Sequence, residues 1–130
     1  MLFKENDKAI YLQIADAICD GILAGLLLPG SRIPSAREYA ASVEVNANTV
    51  MRSYDYLASK EIIFNKRGIG YFIADDAPEK VSGIRREELL DGELDSIFRR
   101  LRLLDITPEE LSSLYSRFIT SQNTITDIEK

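Results

Sequence analysis

The sequence predicts a mainly α fold with a small β-hairpin, on three observations. Apolar residues recur at helical spacing in the segments before residue 60, two β-prone runs then flank a short glycine-containing connection, and helical spacing returns beyond residue 85. The order helix, helix, turn, helix, hairpin is that of a winged helix-turn-helix, here expected over residues 1–76. Residues 77–130 are expected to form a two-helix C-terminal dimerisation region.

Each element has its own signal. Ile10, Ile14, Ile18 and Ile22 share one face of a first helix, about 10–25, which Gly25 and then Pro29-Gly30 bring to an end. Ser35 and Glu38 have the Ser-x-x-Glu spacing of a capping box, so a short second helix covers about 36–42. Asn46 suits the N-cap of a third helix, 46–60, whose buried stripe is Val50, Tyr54 and Leu57. The runs IIFNK and YFIA pair as a hairpin around Arg67-Gly68-Ile69-Gly70, giving it a basic tip.

From Asp75 to Gly83 the composition is acidic and turn-rich, which predicts a junction. A long helix over roughly 85–105 then carries Leu90, Leu94, Ile97, Leu101 and Leu104 at steps of 4, 3, 4 and 3, the seam of helix-to-helix packing. Thr107 caps a last helix with Pro108 at its first position and Glu110 at its third. Leu111, Leu114, Tyr115 and Phe118 line its apolar face, and the polar tail from Ser121 is expected to fray. Together these stripes expose more apolar surface than one pair of helices covers, so a homodimer is expected. The alternative is that the two helices fold back on the winged domain.

Composition narrows the function. Of 130 residues 45 % are hydrophobic, enough for a modest core. The longest apolar run, GILAGLLL at 21–28, is too short to span a bilayer, and no signal-peptide pattern leads the chain, so a cytoplasmic protein without a membrane anchor is expected. The single Cys19 has no thiol partner for a disulfide or a metal site. Catalysis lacks its usual groups: there is no histidine, and Cys19, Ser and Thr have no base. Glu87, Glu88, Asp91, Glu93 and Asp95 suit a solvated helix face, and Gly68-Ile69-Gly70 has Ile73 where a dinucleotide loop needs its third glycine. No enzyme activity, cofactor or metal is expected.

A net charge of −5 argues at first against nucleic acid, where phosphate neutralisation by Lys and Arg dominates. The charge is unevenly spread. Residues 1–31 hold two Lys/Arg against four Asp/Glu, residues 32–70 hold six against four, and residues 71–130 hold eight against thirteen. The mildly basic middle contains the helix-turn-helix and hairpin. Asn48, Thr49, Arg52 and Tyr56 fall on the outward side of the third helix, where amides and arginine read base edges in a major groove. Arg32, Ser35 and Arg37 sit at the start of the second helix, whose dipole favours a phosphate, and Lys66, Arg67 and Gly68 form a wing suited to the minor groove or backbone. Asn46 opens the same surface as cap. An ordinary capped and salt-bridged surface is the plainer alternative for each of these groups.

The stretch LPGSRIPSAREYAASVEVNANTVMRSYDYLASKEIIFNKRGIGYFI, residues 28–73, resembles the DNA-binding domain of the GntR family of bacterial transcription regulators. The resemblance rests on the LPGSRIPSARE entry, the VNxNTV helix start, YDYL and the GIGYFI wing, and covers residues 10–74. The short C-terminal part is similar in length to the dimerisation region of the YtrA-like subfamily. The resemblance implies a dimeric repressor on double-stranded, pseudo-palindromic operator DNA, with Arg37, Asn48, Thr49 and Arg52 at operator-contacting positions and Gly68 in the wing. It leaves a small-molecule effector unidentified. Ala36 and Tyr39 stand where many relatives carry bulkier aliphatic residues, and Ala47 and Met51 where some carry arginine, so base preference does not transfer. A winged-helix protein-interaction module without specific DNA binding is the rival reading.

Overall fold

A computed structural model describes the backbone of residues 8–129 and the side chains of residues 8–123. The elements are α1 (Ile10–Leu23), α2 (Ala36–Val43), α3 (Ala47–Ser59), β1 (Ile63–Lys66), β2 (Gly70–Ile73), α4 (Ala77–Glu88), a π-helical segment (Leu89–Glu93), α5 (Leu94–Leu103) and α6 (Pro108–Glu129). They form two compact units, Met1–Arg86 and Glu87–Lys130.

The predicted periodicities build the first unit. The stripe Ile14, Ile18 and Ile22 of α1 packs into one core with Val50, Tyr54 and Leu57 of α3. Ile62, Ile63 and Ile73 from the hairpin close that core, at roughly 1.5–3 kcal/mol of hydrophobic stabilisation for each fully buried large side chain. The capping box forms: Ser35 Oγ accepts from the Glu38 N–H at 3.1 Å and Glu38 Oε1 accepts from the Ser35 N–H at 3.4 Å. Asn46 Oδ1 accepts from the Asn48 N–H at 2.7 Å, starting α3. Between the helices Glu44 takes a left-handed conformation, φ 57°, which turns the chain.

The wing is an antiparallel hairpin pairing Ile63 with Ile73, Phe64 with Phe72, Asn65 with Tyr71 and Lys66 with Gly70. Gly68 has φ 79° in the turn, where the Ile69 N–H donates to the Lys66 carbonyl at 2.9 Å. A further rung ties the hairpin to the approach to α2. The Gly30 N–H donates to Ile73 O, the Ile73 N–H to Ser31 O and the Ile33 N–H to Tyr71 O, at 2.8, 2.9 and 3.0 Å. Arg32 consequently bridges to Phe72 and lays its side chain along β2 beside Gly70. A Cβ on Gly70, whose φ is 138°, would stand 2.8 Å from Arg32 Nε.

Three expectations need correction. The predicted turn-rich junction is helical from Ala77 onward, because Pro78 lies in the first turn, where its missing N–H costs nothing, and Ala77 and Val81 are buried. Ion pairs of Lys80 with Glu61 (3.6 Å) and Arg85 with Asp20 (2.7 Å) hold α4 within the first unit. The long helix predicted over 85–105 contains the π segment, whose wider turn shifts the phase of the side chains before Leu94, so Leu90 does not continue the seam, and Leu104 lies beyond α5 as its C-cap. The last helix begins as expected, the Glu110 N–H donating to Thr107 Oγ1 at 3.2 Å, but its backbone stays helical to Glu129 instead of fraying from Ser121.

Tyr54 is fully buried, its hydroxyl donates to the Pro34 carbonyl at 2.7 Å, and burial pushes its pKa well above the ordinary tyrosine value. The folded state therefore holds a proton that the unfolded chain releases above about pH 10, so this contribution is full below that pH and declines as pH rises past it. Denaturant melts of the wild type should lose stability above pH 10 more steeply than those of Tyr54→Phe. At pH 7 the variant should be less stable by about 1 kcal/mol, for the lost hydrogen bond. Gly70→Ala should lower stability by about 1–3 kcal/mol, since φ near 138° is a glycine conformation.

Candidate nucleic-acid interface

The buried side of α3 determines what its other side presents. Val50, Ser53, Tyr54 and Leu57 face the core, so Asn48 and Arg52 are exposed and Thr49 is half-buried on the opposite flank. A groove of about 400 Å³ lined by Ala9, Ile10, Tyr11, Asn48, Thr49 and Arg52 marks where the first turn of α1 meets that flank. Tyr56 differs from the outward placement expected of it. It is half-buried against the core, its ring meeting Tyr11 edge-to-face at a centroid separation of 6.4 Å. Asn46 is exposed, but its side-chain oxygen is engaged in capping.

Ser35 is likewise committed to the capping box, while Arg37, in the first turn of α2, is exposed. Glu38 already supplies an anion at that helix start, so the dipole is partly satisfied from within. At the wing, Lys66, Arg67 and Gly68 are exposed. Lys66 Nζ lies 4.6 Å from the Phe72 ring centroid and 5.8 Å from that of Phe64, and these rings stack on each other. The lysine therefore rests on an apolar platform and keeps its donors for another group.

The cations of this surface are not tied up in ion pairs among the described residues. Among the described residues the ion pairs are Lys8–Asp16, Lys80–Glu61, Lys80–Asp76 and Arg85–Asp20. None of them engages Arg32, Arg37, Arg52, Lys66 or Arg67. Those five cations thus lack carboxylate partners, whereas Lys80 and Arg85 of α4 have them.

Three residues of this surface escaped sequence reasoning. Ser53 is fully buried and its hydroxyl lies 2.7 Å from Tyr11 O and 3.1 Å from Thr49 O, pinning α1 to α3. A polar residue inside an apolar stripe gives no such indication without the partner helix. Gly70 was read as part of a turn, yet it lets Arg32 cross the wing. Tyr11 lies under the Arg52 guanidinium, 4.0 Å from ring centroid to Cζ.

The residues expected to make the dimer lie in the second unit. Leu94, Ile97, Leu101, Leu111 and Tyr115 line a groove of about 490 Å³ together with Phe98, Pro108 and Ser112. Leu90, Leu104 and Phe118 do not line it. They are exposed, Leu104 at 71 % and Phe118 at 58 %.

Comparison with known proteins accounts for this arrangement. The sequence profile described as bacterial regulatory proteins, gntR family, matches residues 10–73. The transcriptional repressor YtrA of Bacillus subtilis is 33 % identical over 78 % of this chain and 72 % of its own length. A solved structure assigned to the GntR family of transcriptional regulators, from Bacteroides thetaiotaomicron, superposes with a TM-score of 0.79 at 53 % identity, covering 88 % of this chain and 99 % of that one. The AraR DNA-binding domain, solved in complex with operator ORE1, matches with a TM-score of 0.51 at 27 % identity, over 57 % of this chain and 90 % of its own. With a winged helix-turn-helix, unpaired cations on its recognition surface and relatives that match most of its length, this chain belongs to the GntR family of bacterial transcription regulators.

Proposed function

We propose that the protein is a dimeric repressor that binds a pseudo-palindromic operator through α3 in the major groove and the wing on the minor groove or backbone. The observation that carries this reading is the set of unpaired cations, Arg32, Arg37, Arg52, Lys66 and Arg67, on the same three elements that a winged helix-turn-helix offers to DNA. Asn48, Thr49 and Arg52 read base edges. Arg37 and the wing contact phosphates, which position the protein without selecting sequence. Asn46 and Ser35 act through their caps and Tyr56 through its packing on Tyr11, so these three support the interface more than they touch DNA.

The repressor assignment draws on the likeness to YtrA. No helix among the described residues is long and apolar enough to cross a membrane, which agrees with action on DNA in the cytoplasm. The second unit serves as the dimerisation region: its groove is almost wholly apolar, and Leu104 and Phe118 extend an exposed apolar surface beyond it. A two-fold pair would present its recognition helices to half-sites about 10 base pairs, or a multiple of that, apart.

Affinity for the promoter of its own gene and for random duplex, at two salt concentrations, tests the DNA reading. Arg52→Ala should cost about 1–3 kcal/mol on the promoter and relax specificity. Lys66→Ala should weaken both duplexes alike and reduce the salt slope by about one. Equal affinity of the wild type for both duplexes would exclude sequence-specific binding and favour a protein-interaction module. Sedimentation should find a dimer at micromolar concentration and a monomer for Phe118→Asp, with a wild-type monomer counting against the assembly.

A further inference from the structure

Arg52 is held by a residue of another helix. Its guanidinium carbon lies over the Tyr11 ring, 4.0 Å from the centroid, the Tyr11 and Tyr56 rings meet edge-to-face, and the Tyr11 carbonyl accepts from the buried Ser53 hydroxyl at 2.7 Å. Side chains of two successive turns of α3 thus grip one residue in the first turn of α1. The backbone contact fixes how closely the helices approach, and the Tyr56 contact limits rotation of the ring. Arg52 is exposed and has no ion pair among the described residues, so the ring supplies its restraint.

The kind of restraint matters. A carboxylate partner would occupy the in-plane N–H donors, which are the groups that recognise a guanine edge or a phosphate in bidentate fashion. A cation held over a ring face needs no carboxylate, so its donors are not committed to an ion pair. The contact also removes conformers of a long side chain before DNA arrives, so less ordering remains to be done on binding.

Building on the DNA-binding function proposed above, we propose that Tyr11 is a positioning residue for sequence selection: it pre-orders Arg52 on the recognition face without consuming its hydrogen-bond donors. An aromatic face at position 11 is then required, and its hydroxyl is not.

The test compares wild type, Tyr11→Phe, Tyr11→Leu, Arg52→Ala and the Tyr11→Leu/Arg52→Ala double variant, all as full chains. The readouts are the preference for a duplex selected from a random-sequence pool over random duplex, the thermal midpoint, and the NMR shift of the Arg52 Nε–H. Tyr11→Phe should keep both the preference and the ring-shifted Arg52 resonance. Tyr11→Leu should lose roughly two- to fivefold in preference, the range expected for an exposed cation–π contact, and lose the ring shift. In the Arg52→Ala background the same change should add nothing. An equal loss from Tyr11→Leu with and without Arg52 would overturn the proposal while leaving the DNA-binding function intact, as would a Tyr11→Phe variant no better than Tyr11→Leu. If Arg52→Ala alone left the preference unchanged, the assignment of Arg52 to base reading would fail, and the role of Tyr11 with it.

Discussion

Tyr54 is the contact through which the three parts of the candidate interface share one geometry. It belongs to α3, its hydroxyl donates to the Pro34 carbonyl just ahead of α2, and its ring meets Tyr71 of β2 edge-to-face at a centroid separation of 5.1 Å. The recognition helix, the entry to α2 and the wing are thus referred to one fully buried side chain. A hydroxyl in that position has to be hydrogen-bonded, because a buried polar group left alone costs about 1–3 kcal/mol. The requirement fixes the place of Pro34, and with it the approach of Arg32, Ser35 and Arg37 to the surface.

Around that core, the protein divides its charge by use. Lys80 and Arg85 are paired and hold α4 against the rest of the first unit, while Arg32, Arg52 and Lys66 are restrained by other means. Arg52 rests on Tyr11, Lys66 on Phe72, and Arg32 lies across Gly70. Aromatic faces and a bare glycine limit these long side chains without taking their donors. The overall charge of −5 is compatible with such a surface, because most of the excess acid lies in residues 71–130.

In the second unit the heptad-like spacing was a true signal carried to the wrong length. Leu94, Ile97 and Leu101 do share a groove with Leu111 and Tyr115, whereas Leu90 lies within the π-helical turn and Leu104 ends α5 as its cap. A spacing argument assumes 3.6 residues per turn throughout. Nothing in Leu89-Leu90-Asp91-Gly92-Glu93 announces the wider turn, although Gly92 makes the backbone there easier to rearrange.

By itself the sequence determined the order of elements, the stripes of α1 and α3, the capping box at Ser35, the cap at Asn46 and the basic wing. All of these are written in local spacing and in side chains that bond to their own neighbourhood. It also placed the candidate DNA contacts of α3 on the outward flank, because the apolar stripe of a helix dictates its opposite side. Only the tertiary structure decided that Ser53 is a buried link to Tyr11, that Tyr56 packs inward, that Arg52 stacks on α1, and that Gly70 makes room for Arg32. Each of those depends on a residue distant in the chain, and a one-dimensional pattern carries no distance between helices. The junction read as turn became helix for the same reason: Asp75, Asp76 and Pro78 suit a turn or a helix start equally well, and burial of Ala77 and Val81 decided between them.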